Sequence, residues 1–265
     1  MQFGDILVCL DGSETGRKRT AIALALAART HARVTGYYLP PPRGLPIEDF
    51  LDTPPTVILD TESVEFERQL RLSGVDGTWV LGIASRAIED VVNHARCADL
   101  VVAGLGFPDD PASNPQGIDI EQLIVQCGRP VLGIPVANLP SKIGQNIMVA
   151  WDGSRESTRA LNDSLPFLRE AAAVTIVSID GNPASVPSPN NVVAHLERLG
   201  IPATIDALLD FELPIGEELL SRIERAEIDL LVAGAFGHSR LWERLFGGAS
   251  RTILHQMMVP VLVSH

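Results

Sequence analysis

The sequence predicts an α/β protein of two tandem doubly wound domains. Each is a five-stranded parallel sheet of order 3-2-1-4-5 with helices on both faces. Three observations carry this. Short apolar runs alternate with amphipathic segments along the whole chain. The runs are continuous rather than alternating, as in strands buried on both faces. A set of motifs also recurs, in the same order, in the two halves.

The repeat is legible by eye. "DILVCLDGS" (Asp5 to Ser13) and "NIMVAWDGS" (Asn146 to Ser154) agree at five of nine positions. "ADLVVAGLG" (Ala98 to Gly106) and "IDLLVAGAF" (Ile228 to Phe236) also agree at five of nine. "RPVLGIPV" from Arg129 resembles "VPVLVSH" at the end of the sequence. Between the halves, "PVANLPSKIGQN" (Pro135 to Asn146) has the prolines and polar residues of a linker. The expected domains are 1–138 and 143–265.

In the first half "DILVCL" is a strand closed by Asp-Gly-Ser. "GRKRTAIALALAARTHA" has a polar start and an apolar face, hence a helix. "RVTGYYL" is β-branched and aromatic, hence a strand. "VILDTESVEFERQLRLSG" is a helix stopped by Gly74, "TWVLG" a strand, "ASRAIEDVVNHARCA" a helix and "DLVVAG" a strand. "IDIEQLIVQCG" is a helix and "PVLGIPV" the last strand. The second half places strands near Asn146–Trp151, Val174–Ile179, Thr204–Leu209, Asp229–Gly234 and Pro260–Ser264, with helices between.

Composition narrows the function classes. Hydrophobic residues make up 46%, enough for a core, and the formal net charge is -12. That charge argues against nucleic acid and anionic membrane surfaces as partners. Cys9, Cys97 and Cys127 are few, odd in number and without a CxxC pair, which reads as buried free thiols in a reducing compartment. No signal peptide or membrane-length apolar run is visible, so a cytoplasmic protein is expected.

In a 3-2-1-4-5 sheet the C-terminal ends of strands 1 and 4 flank the ligand crevice. Asp-Gly-Ser falls at one end. "GAFGHSRLWERLFGGAS" (Gly234 to Ser250) falls at the other in the second half. Gly234, Gly237, Gly247 and Gly248 let backbone N–H groups form a concave nest, and a helix starting near Ser250 adds its positive end. Together these suit a phosphate chain. The plainer alternative is that the glycines only turn the chain.

Gly-x2-Gly-x9-Gly after an Asp-ended strand and before a "PVL" strand resembles the nucleotide signature of universal stress proteins. The whole chain resembles the tandem form of that family. The resemblance implies ATP, possibly with Mg2+, in the second half. Asp152 would contact the ribose and could help hold magnesium through the ATP. Ala150 and Trp151 would line the base, and the backbone of Ile179 would read the adenine edge. Ala233 and Gly234 would lie under the ribose. Gly237, Gly247, Gly248 and Ala249 would hold the phosphates, with Ser250 assisting or capping the helix. Gly248 stands where the family usually has Ser or Thr, which removes one donor to phosphate. The alternatives are capping for Asp152 with Ser154, core filling for Trp151, and a solvated helical face for His238, Arg240 and Arg244. The family also implies an intrachain pseudo-dimer through the fifth strands and a possible further homodimer.

The first half departs from the signature. After "DLVVAG" it reads "LGFPDDPASNPQGIDIEQ", with no Gly-x2-Gly and no second glycine pair. Asp109 and Asp110 would repel phosphate, and Pro108, Pro111 and Pro115 lack backbone donors. The expectation is a retained fold and a lost nucleotide. The proline-rich "PPPRGLPIEDFLDTPP" (Pro40 to Pro55) reads as a surface loop, a cover for that pocket or a partner contact. No catalytic constellation, phosphate-loop lysine or metal-ligand spacing is present. The sequence therefore points to a nucleotide-binding stress or signalling protein. A slow ATPase and a nucleotide-free scaffold are the alternatives.

Overall fold

The computed structural model describes residues 2–40, 55–106, 113–114, 117–136, 142–178, 188–207, 215–235 and 257–265. Two compact units are present, Gln2–Ala137 and Asn138–His265.

The first unit runs β1 (Asp5–Leu10), α1 (Glu14–Thr30), β2 (Arg33–Tyr38), α2 (Pro55–Ser73), β3 (Gly77–Leu81), α3 (Ala87–Ala95), β4 (Leu100–Gly104), α4 (Ile120–Cys127) and β5 (Val131–Ile134). All its pairings are parallel, in the order β3-β2-β1-β4-β5. Right-handed crossovers then put α1 and α2 on one face and α3 and α4 on the other. Accordingly α1 packs on α2, and α3 on α4. Ile6, Val8, Val34, Leu100, Val102 and Leu132 are buried in the sheet, as strands covered on both faces require.

Local chemistry sets the element ends. Ser13 caps α1, its side chain accepting from Gly16 N at 2.9 Å. The helix stops at His31, which takes the left-handed conformation at φ 56°. Gly36 in β2 lacks a Cβ, and the space is taken by Phe66 of α2. The segment expected as one helix from Ala84 opens instead with a 3-10 turn over Ala84–Arg86 before α3. There Asp90 accepts from Ile83 N at 3.0 Å and from the Tyr37 hydroxyl at 2.9 Å. These bonds hold the turn outside the helical ladder.

The second unit repeats the plan with β6 (Asn146–Trp151), α5 (Arg155–Asp163), α6 (Leu165–Leu168), β7 (Ala173–Ser178), α7 (Pro189–Arg198), β8 (Thr204–Ala207), α8 (Ile215–Arg225), β9 (Leu230–Gly234) and β10 (Val261–Ser264). Its order is β8-β7-β6-β9-β10, again parallel throughout. Both sheets are therefore 3-2-1-4-5, as the sequence predicts. Where α1 runs unbroken for 17 residues, its counterpart divides into α5 and α6 at Ser164, with a proline in the first turn of α6.

One aspartate per half pins strand 1 to strand 4. Asp99 accepts from Gly4 N at 2.8 Å and Asp5 N at 3.1 Å. Asp229 accepts from Gly144 N at 2.9 Å, Gln145 N at 2.9 Å and Asn146 N at 3.1 Å. Both belong to the repeated Asp-Leu of the fourth strands. The sequence treats Asp-Leu only as a repeat landmark; its role as a backbone clamp emerges in the fold.

Cys9 and Cys127 are buried, whereas Cys97 is exposed. The expectation of three buried thiols is corrected at Cys97, which lies beyond the end of α3 and outside the core stripe. Burial pushes the Cys9 thiol up to about 12. No helix of the described residues is long and apolar enough to cross a membrane.

Asp229→Ala leaves three backbone N–H groups at the start of β6 without their acceptor. We expect a loss of about 1–3 kcal/mol in urea unfolding of the second unit. An unchanged unfolding midpoint would refute the clamp.

Candidate functional site

The same turn closes β1 and β6. After β1, the Asp11 carboxylate accepts from Ser13 N at 2.9 Å and from Ser13 Oγ at 2.6 Å. After β6, the Asp152 carboxylate accepts from Ser154 N at 3.0 Å. The glycine between them has φ 73° at Gly12 and φ 71° at Gly153, a conformation that excludes most side chains. Ser13 and Ser154 then cap the following helices; Ser154 Oγ accepts from Ser157 N at 3.1 Å. The turn thus places a largely buried carboxylate, Asp11 or Asp152, at the end of strand 1 beside strand 4.

The two halves satisfy that carboxylate differently. In the first, Arg19 of α1 reaches back across the crevice. Its Nη2 donates to Asp11 Oδ2 at 2.8 Å and its Nε to the Cys9 carbonyl at 2.9 Å. Both side chains of the pair are 6% exposed. Burial alone would raise the Asp11 carboxyl. The Arg19 guanidinium and the Ser13 donors outweigh it and hold the group below its usual value. Gly104, ending β4, supplies the opposite wall, since a Cβ there would collide with Arg19 Nη1. Gly106 lies beneath the backbone of Ser113. What remains between Cys9, Asp11, Arg19, Gly104, Ser113, Asn114 and Ile118 is a cavity of about 20 Å3. That is room for about one water.

In the second half the residue eight places after the aspartate is Ala160, not arginine. Ala160 is buried in α5. Ala150 and Ala233 stand side by side in the sheet, and Trp151 is 4% exposed, packed into the core. Gly234 is buried under the first turn of α5, where a Cβ would collide with Ser157 N and Glu156. Glu156 is itself buried and accepts from Arg155 Nη2 at 3.1 Å. Just past β9, His265 Nδ1 donates to the Ala235 carbonyl at 2.8 Å. Ser264 Oγ donates to Asp163 Oδ2 at 2.8 Å.

Of the residues singled out from the sequence, Ala150, Trp151, Asp152, Ala233 and Gly234 gather at the C-terminal ends of β6 and β9. Ile179, Gly237, Gly247, Gly248, Ala249 and Ser250 lie outside the described residues, as do His238, Arg240 and Arg244. β7 ends at Ser178, one residue before Ile179. Arg19 and Glu156 were not singled out. Aligning the two helices after Asp-Gly-Ser exposes the Arg19/Ala160 difference, the one signal that could have found Arg19.

No protein-family model matches the chain. A curated universal stress protein from Synechocystis sp. is 24% identical over 290 residues, spanning 97% of this chain and 98% of its own length. The crystal structure of a universal stress protein from Archaeoglobus fulgidus superposes with a TM-score of 0.71. It covers 98% of this chain and 95% of its own, at 14% identity. The chain has the fold of that universal stress protein. A functionally unknown protein from Pseudomonas aeruginosa shares it with a TM-score of 0.58 at 15% identity, covering 99% of this chain and 92% of its own. The similarity therefore extends over both halves, and the crevice ends just described recur at corresponding places in the two units.

Arg19→Ala strands a buried carboxylate, and breaking such a pair costs about 3–5 kcal/mol. The Asp11→Asn, Arg19→Ala double variant removes both charges and is expected to lose less. Because Asp11 is depressed in the folded state, its stabilising share is complete above the ordinary carboxylate pKa of about 4. It fades as pH falls through that value toward the folded one. Urea titrations of wild type and double variant at about pH 7 and pH 3 check this: the stability gap should shrink in acid. A gap of equal size at both pH values would exclude the pair as a source of stability.

Proposed function

We propose that this chain is a nucleotide-binding stress or signalling protein that takes an adenine nucleotide, ATP, in its second half. The observation that supports this most is the contrast at the strand-1 carboxylate. Asp152 stands at the crevice end of β6 with Ala160 in the helix position from which Arg19 closes the first half. In the same half, and not in the first, Gly-x2-Gly-x9-Gly follows strand 4.

The assignment is concrete. Asp152 would accept from the ribose hydroxyls. Ala150, Trp151 and Ile179 would border the base, and Ala233 and Gly234 the sugar. Gly237, Gly247, Gly248, Ala249 and Ser250 would present N–H groups and a hydroxyl to the phosphates, the geometry in which backbone nests and helix N-termini hold anions. Asp152 fits an acceptor role, since its carboxylate is mostly buried at the crevice end of β6, where the turn orients it through Ser154 N. Bound nucleotide would act by biasing conformation or assembly.

The same reading takes 1–138 as a domain with a degenerate site and 143–265 as the nucleotide domain. It pairs them through the apolar fifth strands β5 and β10, a pairing that covers edges otherwise prone to association. Native mass spectrometry of the purified protein reports whether one chain or two form the particle, and whether a nucleotide co-purifies.

Equilibrium titration with ATP is expected to saturate at one nucleotide per chain. Gly237→Val puts a branched side chain in the nest and should abolish binding up to millimolar ATP. Asp152→Ala removes an acceptor; a hydrogen bond to a charged group is worth about 1.5–3 kcal/mol, so the loss should be roughly ten- to a hundredfold in Kd. Unaltered affinity in both variants would dispose of the pocket. Phosphate release above a protein-free control would move the reading to the slow ATPase.

A further inference from the structure

The first unit has the crevice of its fold but not the space. Its strand-1 carboxylate, its strand-4 glycine and its capped helix all stand where a ligand-binding sheet of this order places them. Among the described residues, a side chain of the same chain reaches into the volume between them. Arg19 uses Nη2 on the Asp11 carboxylate and Nε on the Cys9 carbonyl, at 2.8 and 2.9 Å, and abuts Gly104. It is 5% exposed, on a helix that begins at the Asp-Gly-Ser turn itself. A cation that meets a carboxylate, a main-chain carbonyl and a glycine floor there satisfies the groups a ligand would otherwise have to satisfy.

We propose that Arg19 is a resident substitute for ligand: it occupies the β1/β4 crevice of the first unit, and it is the residue that closes this half to an adenine nucleoside. The occupant it excludes is a nucleoside rather than a nucleoside triphosphate. The segment after β4 carries Asp109 and Asp110 and no second glycine pair, so the first half lacks the glycine signature that suits a phosphate chain. Ala160 at the matching helix position is the corresponding open choice in the second unit. The inference rests on the reading above only for the choice of adenosine as probe.

The test removes the plug where the second half is silent. In full-length Gly237→Val protein, adenosine and ATP are titrated with Arg19 intact and with Arg19→Ala added. The expected result is at least tenfold tighter adenosine binding on adding Arg19→Ala, at one per chain, with ATP no better than adenosine. Should Arg19→Ala fail to fold by circular dichroism, Asp11→Asn, Arg19→Ala in the same background replaces it, since it strands no charge and Asn keeps an acceptor at the crevice. Folded variants that bind adenosine no better than Gly237→Val alone overturn the inference, whether both bind equally or neither binds. ATP titration of the wild type decides the function proposed above separately, because the adenosine comparison reads only the first half.

Discussion

A buried carboxylate at the end of the first strand sets the terms for the rest of each unit. Burying a charge is costly unless donors surround it. The Asp-Gly-Ser turn supplies the first donor from its own backbone in both halves. It does so only because Gly12 and Gly153 turn the chain through a left-handed conformation. The same turn delivers the serine that caps the next helix. One three-residue device therefore ends a strand, starts a helix and leaves an acceptor facing the crevice.

From that common start one divergence between the halves lies at a single helix position. With arginine eight residues on, the carboxylate is answered from inside the chain and the crevice shrinks to about 20 Å3. In the second half alanine stands at that position, and the first turn of α5 lies against Gly234. Duplicated folds diverge readily in this way, because the strand order does not depend on what fills the crevice. The framework is held by other contacts, such as the Asp99 and Asp229 clamps at the opposite ends of the strands. Stability at one end and ligand chemistry at the other is the division of labour expected of parallel α/β sheets.

Much of this was legible beforehand. Continuous apolar runs separated by helical patterns specified both sheets, and the internal repeat placed both crevices. Asp152, Ala150 and Ala233 were singled out through the family resemblance, and the fold brings them together at the ends of β6 and β9. Arg19 was missed because its partners are a carboxylate eight residues back and a carbonyl on a neighbouring element, a relation with no sequence period. Glu156 was missed for the same reason: it reads as an ordinary acidic residue in a first helical turn, yet it is buried beside Gly234. Cys97 was misplaced because an apolar neighbourhood in sequence does not say which side of a helix end a thiol leaves from.

What the sequence determined alone are the quantities set by local periodicity and composition: strand and helix order, parallel connection, duplication, and the turns at glycine and serine. These follow because each depends on residues a few positions apart, where backbone sterics and hydrophobic pattern leave few solutions. Only the tertiary structure decided how the first crevice is filled. That depends on which distant side chain reaches a buried charge first, and the outcome turns on distances of a few ångströms that no spacing in the chain encodes.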